Sequence, residues 1–101
     1  MTNNFIFIGM WREIGPGKCI DDVRDNILWD GQSRDVQTCQ RTCMTYKEKC
    51  AFIIFGGDQA QALRNCTVLG THATCRQLVA GPKAVSSYEF IQGLIFYLNI
   101  F

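Results

Sequence analysis

Dense apolar runs alternate along this chain with polar stretches rich in turn formers. Residues 5–14, FIFIGMWREI, are apolar and aromatic and read as a strand. Gly15-Pro16-Gly17 is expected to end it, because Pro16 offers no amide and glycine turns freely. Residues 21–35 carry Asp21, Asp22, Asp25, Asn26, Asp30 and Gly31 and read as a loop, with Ile27, Leu28 and Trp29 as a short strand inside it. Segment 33–49, SRDVQTCQRTCMTYKEK, is the clear helix: Val36, Cys39, Cys43 and either Met44 or Tyr46 fall near one face. Ser33 or Asp35 suits its N-cap, and Lys47 and Lys49 suit the negative end of its dipole.

Residues 50–55, CAFIIF, form a continuous apolar run bounded by Gly56-Gly57-Asp58, the pattern of a central strand covered on both faces. Period two places Cys50, Phe52 and Ile54 on one side and Ala51, Ile53 and Phe55 on the other. Residues 58–63 fit a loop or a single helical turn, and 64–69, RNCTVL, a further strand. Gly81-Pro82 turns the chain into a last strand at 85–91, VSSYEFI. The order predicts an α+β fold, one helix packed on an antiparallel sheet of about five strands. The predicted domain spans 11–91, with 1–10 as an apolar N-terminal extension or strand and 92–101 as an apolar tail. Left exposed, Leu94 to Phe101 would be adhesive; it either pairs as a strand with Phe5 to Ile8 or lies past the domain end.

At 101 residues the chain suits one domain. Its formal charge of +1 gives no field that would select nucleic acid, and no basic stripe is visible, so no nucleic-acid partner is expected. Cysteine changes the picture. Cys19, Cys39, Cys43, Cys50, Cys66 and Cys75 make an even count in a short chain, the signature of a disulfide scaffold from an oxidising, extracellular compartment. MTNNFIFIGM has no basic n-region and only a short apolar run, so the chain reads as a fragment of a larger secreted protein, or as a sequence lacking its true start. GLIFYLNIF is short of the ~20 residues that a membrane-spanning helix needs, and no membrane span is expected. A cytoplasmic protein with free thiols is the competing reading.

Six cysteines allow fifteen pairings, and spacing alone does not choose among them. Helix geometry narrows the field. Cys39 and Cys43 are i and i+4, poorly placed to bond each other and well placed to staple the helix to strands beneath it. Pairing Cys43 with Cys50 closes a short loop, Cys39 with Cys66 runs parallel to it, and Cys19 and Cys75 remain to tie the start of the domain to its end.

The run CQRTC…KEKCAFIIF…NCTVL resembles the PAN/apple domain: a Cys-x-x-x-Cys helix, a third cysteine shortly after, an aromatic-rich strand, then Cys66 and Leu69. Trp11, Gly15, Gly17 and Cys19 at the start, and Ser86, Ser87 and Tyr88 near the end, resemble the same modules over residues 11–91. Cys75 departs from the pattern, since it precedes the final strand instead of closing the module. The resemblance implies first-to-sixth, second-to-fifth and third-to-fourth bonds, that is Cys19–Cys75, Cys39–Cys66 and Cys43–Cys50. It also implies a binding module for proteins or carbohydrates, and it carries no ligand residue with it, because the shared motif is the scaffold.

Other chemistry is weaker. A zinc site would want a second short cysteine knuckle, but Cys66 and Cys75 are nine apart and His72 is the single histidine. His72 is near Cys75 in sequence, yet an exposed loop histidine beside a disulfide explains it better than a catalytic pair. Asp21, Asp22 and Asp25 read as a solvated loop, without the spacing of a calcium loop. No catalytic residue, metal or cofactor is expected. Asn65-Cys66-Thr67 is an N-glycosylation sequon. Of Trp11, Trp29, Tyr46 and Tyr88, Trp29 is the best candidate for an exposed sugar platform. The expected function is adhesion or lectin-like recognition; the alternative is a secreted toxin or protease-inhibitor-like effector. An exposed basic or aromatic loop at 58–64 would favour the alternative, and a concave sheet face with aromatics the first reading. The sequence specifies no oligomeric state.

Overall fold

A computed structural model describes residues 3–20, 24–58, 60–80 and 84–99. Along the chain run β1 (Asn3–Pro16), β2 (Lys18–Cys19), a 3-10 turn at Arg24–Asn26, β3 (Ile27–Ser33) and α1 (Val36–Thr45). A second 3-10 turn at Lys47–Lys49 follows, then β4 (Cys50–Gly57), β5 (Arg64–Gly70), β6 (Leu78–Val79) and β7 (Ala84–Asn99). Five strands form one antiparallel sheet in the order β1-β7-β4-β5-β3, and β2 pairs with β6 apart from it. One helix on a five-stranded antiparallel sheet is the α+β fold that the sequence predicts.

The apolar run of β4 puts it at the middle of the sheet, between β7 and β5. On one face, α1 closes over Cys39, Cys43, Cys50, Ile53, Phe55, Cys66, Val68 and Phe90. On the other, the β2–β6 pair and the segment after β5 cover Cys19, Phe52, Ile54, Leu69, Ala73 and Cys75. The sheet is therefore the middle of three layers.

Irregularities of the strands account for the departures from simple pattern reading. Strict alternation puts Cys50 with Phe52 and Ile54, but Cys50 lies with Ile53 and Phe55 on the helix face. A register shift between Cys50 and Phe52 inserts the extra residue that turns the first position over. Gly15-Pro16-Gly17 does not stop β1 at Ile14: the strand continues through Pro16, opposite Ser86, after a shift between Glu13 and Gly15. β1 is an edge strand, and there a proline removes no ladder bond that the sheet needs. The acidic stretch expected to be mostly loop yields a full strand, β3, because its backbone pairs with β5 from Ile27 to Ser33.

The helix is shorter than 33–49. Asp35 is its N-cap, accepting hydrogen bonds at Oδ1 from the Thr38 amide (2.8 Å) and the Thr38 hydroxyl (2.7 Å). Those bonds, helped by the nearby Arg41 and Arg34 charges, hold the Asp35 carboxyl below the usual carboxylate range. The helix stops at Thr45 because Lys47 adopts φ 55°, a left-handed conformation that α-helix cannot continue through. Lys47 and Lys49 therefore lie in the following 3-10 turn. In the 58–63 segment Asp58 holds a turn, its Oδ1 accepting from the Ala60 amide at 3.0 Å and its carbonyl from the Gln61 amide at 3.1 Å; Gln59 lies outside the described residues.

At one end the sheet narrows. β7 pairs with β4 only from Ala84 to Glu89, whereas its pairing with β1 runs from Ser86 to Asn99. Phe5 to Ile8 lie opposite Tyr97 to Leu94 in that extension, so the apolar N- and C-terminal segments are paired strands. Residues 100 and 101 of the tail lie outside the described residues.

Candidate functional site

All six cysteines are in disulfides, and no thiol is free. Cys39 on α1 bonds Cys66 on β5 (Cα–Cα 5.7 Å), and Cys43 one turn later bonds Cys50 at the start of β4 (Cα–Cα 5.5 Å). The i, i+4 spacing presents both sulfurs to the sheet at once. On the opposite face Cys19 bonds Cys75 (Cα–Cα 5.0 Å). These pairs are the set that the PAN/apple resemblance implies.

The second layer is also held by Ser87, which is fully buried. Its hydroxyl donates to the Gly17 carbonyl at 2.9 Å and accepts from the Cys19 amide at 3.2 Å, which ties β2 onto β7. Gly17 has φ 116°, and a Cβ there would press against the Val79 carbonyl oxygen at 3.0 Å. The Gly-Pro-Gly segment thus lets the chain cross from β1 onto the covering layer.

Most of the residues weighed for chemistry are apart. His72 is exposed in the turn after β5, and Cys75, its neighbour in sequence, is committed to its disulfide. Asp25 is exposed in the first 3-10 turn; Asp21 and Asp22 lie outside the described residues. No group of three His, Cys, Asp or Glu side chains converges among the described residues. Among them, too, no helix is long and apolar enough to cross a membrane.

The aromatic residues serve the helix face more than they serve solvent. Trp11 stacks on Phe90, ring centroids 4.8 Å apart. Trp29, expected to be exposed, is half-buried against the helix-side core, its indole lying over Gly31 where a Cβ would collide with it. Removal from water, reinforced by the Glu13 carboxylate, pushes the Tyr88 hydroxyl pKa up. In the 58–64 segment, Asp58, Ala60, Gln61, Ala62 and Leu63 are exposed. Its one base folds back: the Arg64 guanidinium sits 4.9 Å above the Phe55 ring and donates to the Arg34 carbonyl. The exposed positions of this loop are neither basic nor aromatic.

A depression of about 400 Å³ lies on the sheet face opposite α1. Ile54 and Val85 supply apolar lining, Lys18 comes from β2, Asp30 and Gln32 from β3, and Asn65 and Thr67 from β5. The Thr67 hydroxyl donates to Asp30 Oδ1 at 2.9 Å, which fixes that carboxylate. Lys18, Gln32 and Asn65 are exposed, and their side chains are not engaged by other described residues. Gly56 borders the depression with φ 144°; a side chain there would overlap the Ala84 carbonyl oxygen, so the two backbones approach closely. Gly56 and Val85 also border a second depression on the helix side, where Phe55, Arg64 and Tyr88 lie. The lining of the depression is thus polar and aliphatic, whereas Trp11, Trp29, Phe55, Tyr88 and Phe90 pack on the helix side of the sheet.

Sequence reasoning identified Asn65 only as a sequon and did not find Lys18, Gln32 or the depression itself. Three strands far apart in the chain supply its rim, and no local spacing signals that convergence. No protein-family model matches this chain, nor does a curated protein or a solved structure.

Proposed function

We propose that this chain is an extracellular binding module of the PAN/apple type, not an enzyme, and that it takes a carbohydrate or the polar segment of a protein on the sheet face opposite α1. The observation that carries this reading is the depression lined by Ile54 and Val85 and rimmed by Lys18, Gln32 and Asn65. Amide and ammonium groups without partners among the described residues are suited to hydroxyl-rich or backbone-like ligands, and an apolar floor suits the C–H face of a sugar. Three disulfides in a domain of this size support an oxidising compartment. The Cys-x-x-x-Cys helix and its pairing support the family.

The test is a glycan array and a plasma-protein pull-down with the wild-type chain, Gln32→Ala and Lys18→Ala. The expected result is a ligand class retained by wild type and weakened at least about tenfold, ~1.4 kcal/mol, by either substitution at unchanged Tm. Binding that survives both substitutions places the site elsewhere, and absence of any ligand on both platforms overturns the reading.

A further inference from the structure

The sequon Asn65-Cys66-Thr67 lies within the sheet, on β5, and not in a loop. Each of its residues is paired on both sides: Asn65 with Gln32 and Gly56, Cys66 with Gly31 and Phe55, Thr67 with Asp30 and Ile54. Strand alternation turns Cys66 to the helix side, where it bonds Cys39, and turns Asn65 and Thr67 to the opposite face, where both line the depression.

Asn65 is suited to carry a sugar in this fold. It is exposed, and its side-chain amide has no partner among the described residues. Its cross-strand neighbour on β4 is Gly56, which contributes no side chain, so the floor of the depression is open from Asn65 toward Ile54 and Val85. That floor suits the C–H face of a sugar. The folded sequon, however, is a poor substrate for a transferase. Its backbone is paired to strands on both edges, Cys66 is fully buried, and the Thr67 hydroxyl donates to Asp30 Oδ1 at 2.9 Å.

We propose that Asn65 is N-glycosylated before β5 enters the sheet, and that the attached sugar lies over the depression in the folded domain. The donor is an oligosaccharide linked to a lipid through pyrophosphate. A bond forms from Asn65 Nδ2 to the anomeric carbon of the sugar as the bond from that carbon to the pyrophosphate oxygen breaks. The lipid pyrophosphate leaves with the electron pair, and an amide proton passes to a base of the transferase. The Cys39–Cys66 bond follows, so the sequon is open only while Cys66 is a thiol. One consequence rests on the binding site proposed above: a chain that carries the sugar has its depression covered from within, and only the unmodified chain takes a ligand there.

The test has two arms. In the first, the full chain behind an added secretory leader is expressed in a eukaryotic secretory host, with Asn65→Gln beside it. Peptide-N-glycosidase is expected to remove a glycan's mass from secreted wild type, leaving aspartate at position 65, and to leave Asn65→Gln unchanged. Acylation of the folded proteins with an N-hydroxysuccinimide ester of acetic acid is expected to be several-fold slower at Lys18 in the glycosylated chain than in Asn65→Gln. Lys49, exposed in the second 3-10 turn, is expected to react equally in both. In the second arm, a solubilised transferase with its lipid-linked donor is expected to modify the reduced, unfolded chain and to leave the oxidised, refolded chain unmodified. Unmodified Asn65 in secreted wild type, equal Lys18 rates, an unfolded chain that accepts no sugar, or a folded chain modified as readily as the unfolded one overturns the proposal. The second arm stands even if the host secretes no chain. None of these outcomes needs a ligand, and chain refolded without the transferase carries no sugar, so the glycan array and pull-down test the depression independently.

Discussion

The helix face of the sheet is covered by ten residues of α1 and two disulfides, whereas the opposite face is covered by two strands of two residues each, a loop and one disulfide. On the helix face the bonds join residues 27 and 7 apart in sequence, and they reinforce an apolar contact that the helix already makes. On the other face the bond joins residues 56 apart, and its layer has little regular structure of its own. The thinner layer therefore depends more on covalent closure and on single hydrogen bonds. That layer also borders the depression, through Lys18 of β2.

The comparison can be broken with cysteine pairs. Loop-closure entropy predicts a cost of about 4 kcal/mol for replacing Cys19 and Cys75 by alanine, about 3.5 for Cys39 and Cys66, and about 2.5 for Cys43 and Cys50. Urea unfolding at equilibrium measures all three. A reversed ranking would mean that packing under α1, not chain closure, dominates. Ile53, fully buried beneath the helix, comes next: Ile53→Ala should cost about 2–5 kcal/mol in the same experiment.

Ser87→Ala probes the thin layer without touching a disulfide. It strands the Cys19 amide and the Gly17 carbonyl, for a cost of about 1–3 kcal/mol. Hydrogen exchange should show faster exchange at Cys19 and Gly17 than on β4. The smallest effect is at Asp35. Its folded-state pKa is lowered, so the stability it contributes is present above the unfolded pKa and is lost as pH falls through the folded one. Asp35→Ala should lower Tm by a few degrees at neutral pH. That difference should shrink below about pH 4, measured by thermal melts across pH.

Much of the helix face could be read from the chain. The i, i+4 spacing of Cys39 and Cys43, the continuous run of β4 and the cap at Asp35 are local signals, and local signals survive into the fold. The side of Cys50 could not be read, because one bulged residue inverts it. β3 was hidden for a different reason: Asp30 and Gly31 have turn-former identities, and only pairing with β5 makes them strand. The thin layer and its depression were the least legible. Gly17 contacts Val79 and Ser87 across more than half the chain, and Lys18, Gln32 and Asn65 converge only because β2, β3 and β5 come together. Such contacts leave no period in the sequence.

The disulfide framework underlies both layers, and proteolytic mapping of the unreduced protein by mass spectrometry tests it most directly. The predicted result is three linked peptide pairs, Cys19 with Cys75, Cys39 with Cys66 and Cys43 with Cys50, and an intact mass lighter than the reduced chain by six hydrogens. Free thiols, or any other pairing, would contradict the account.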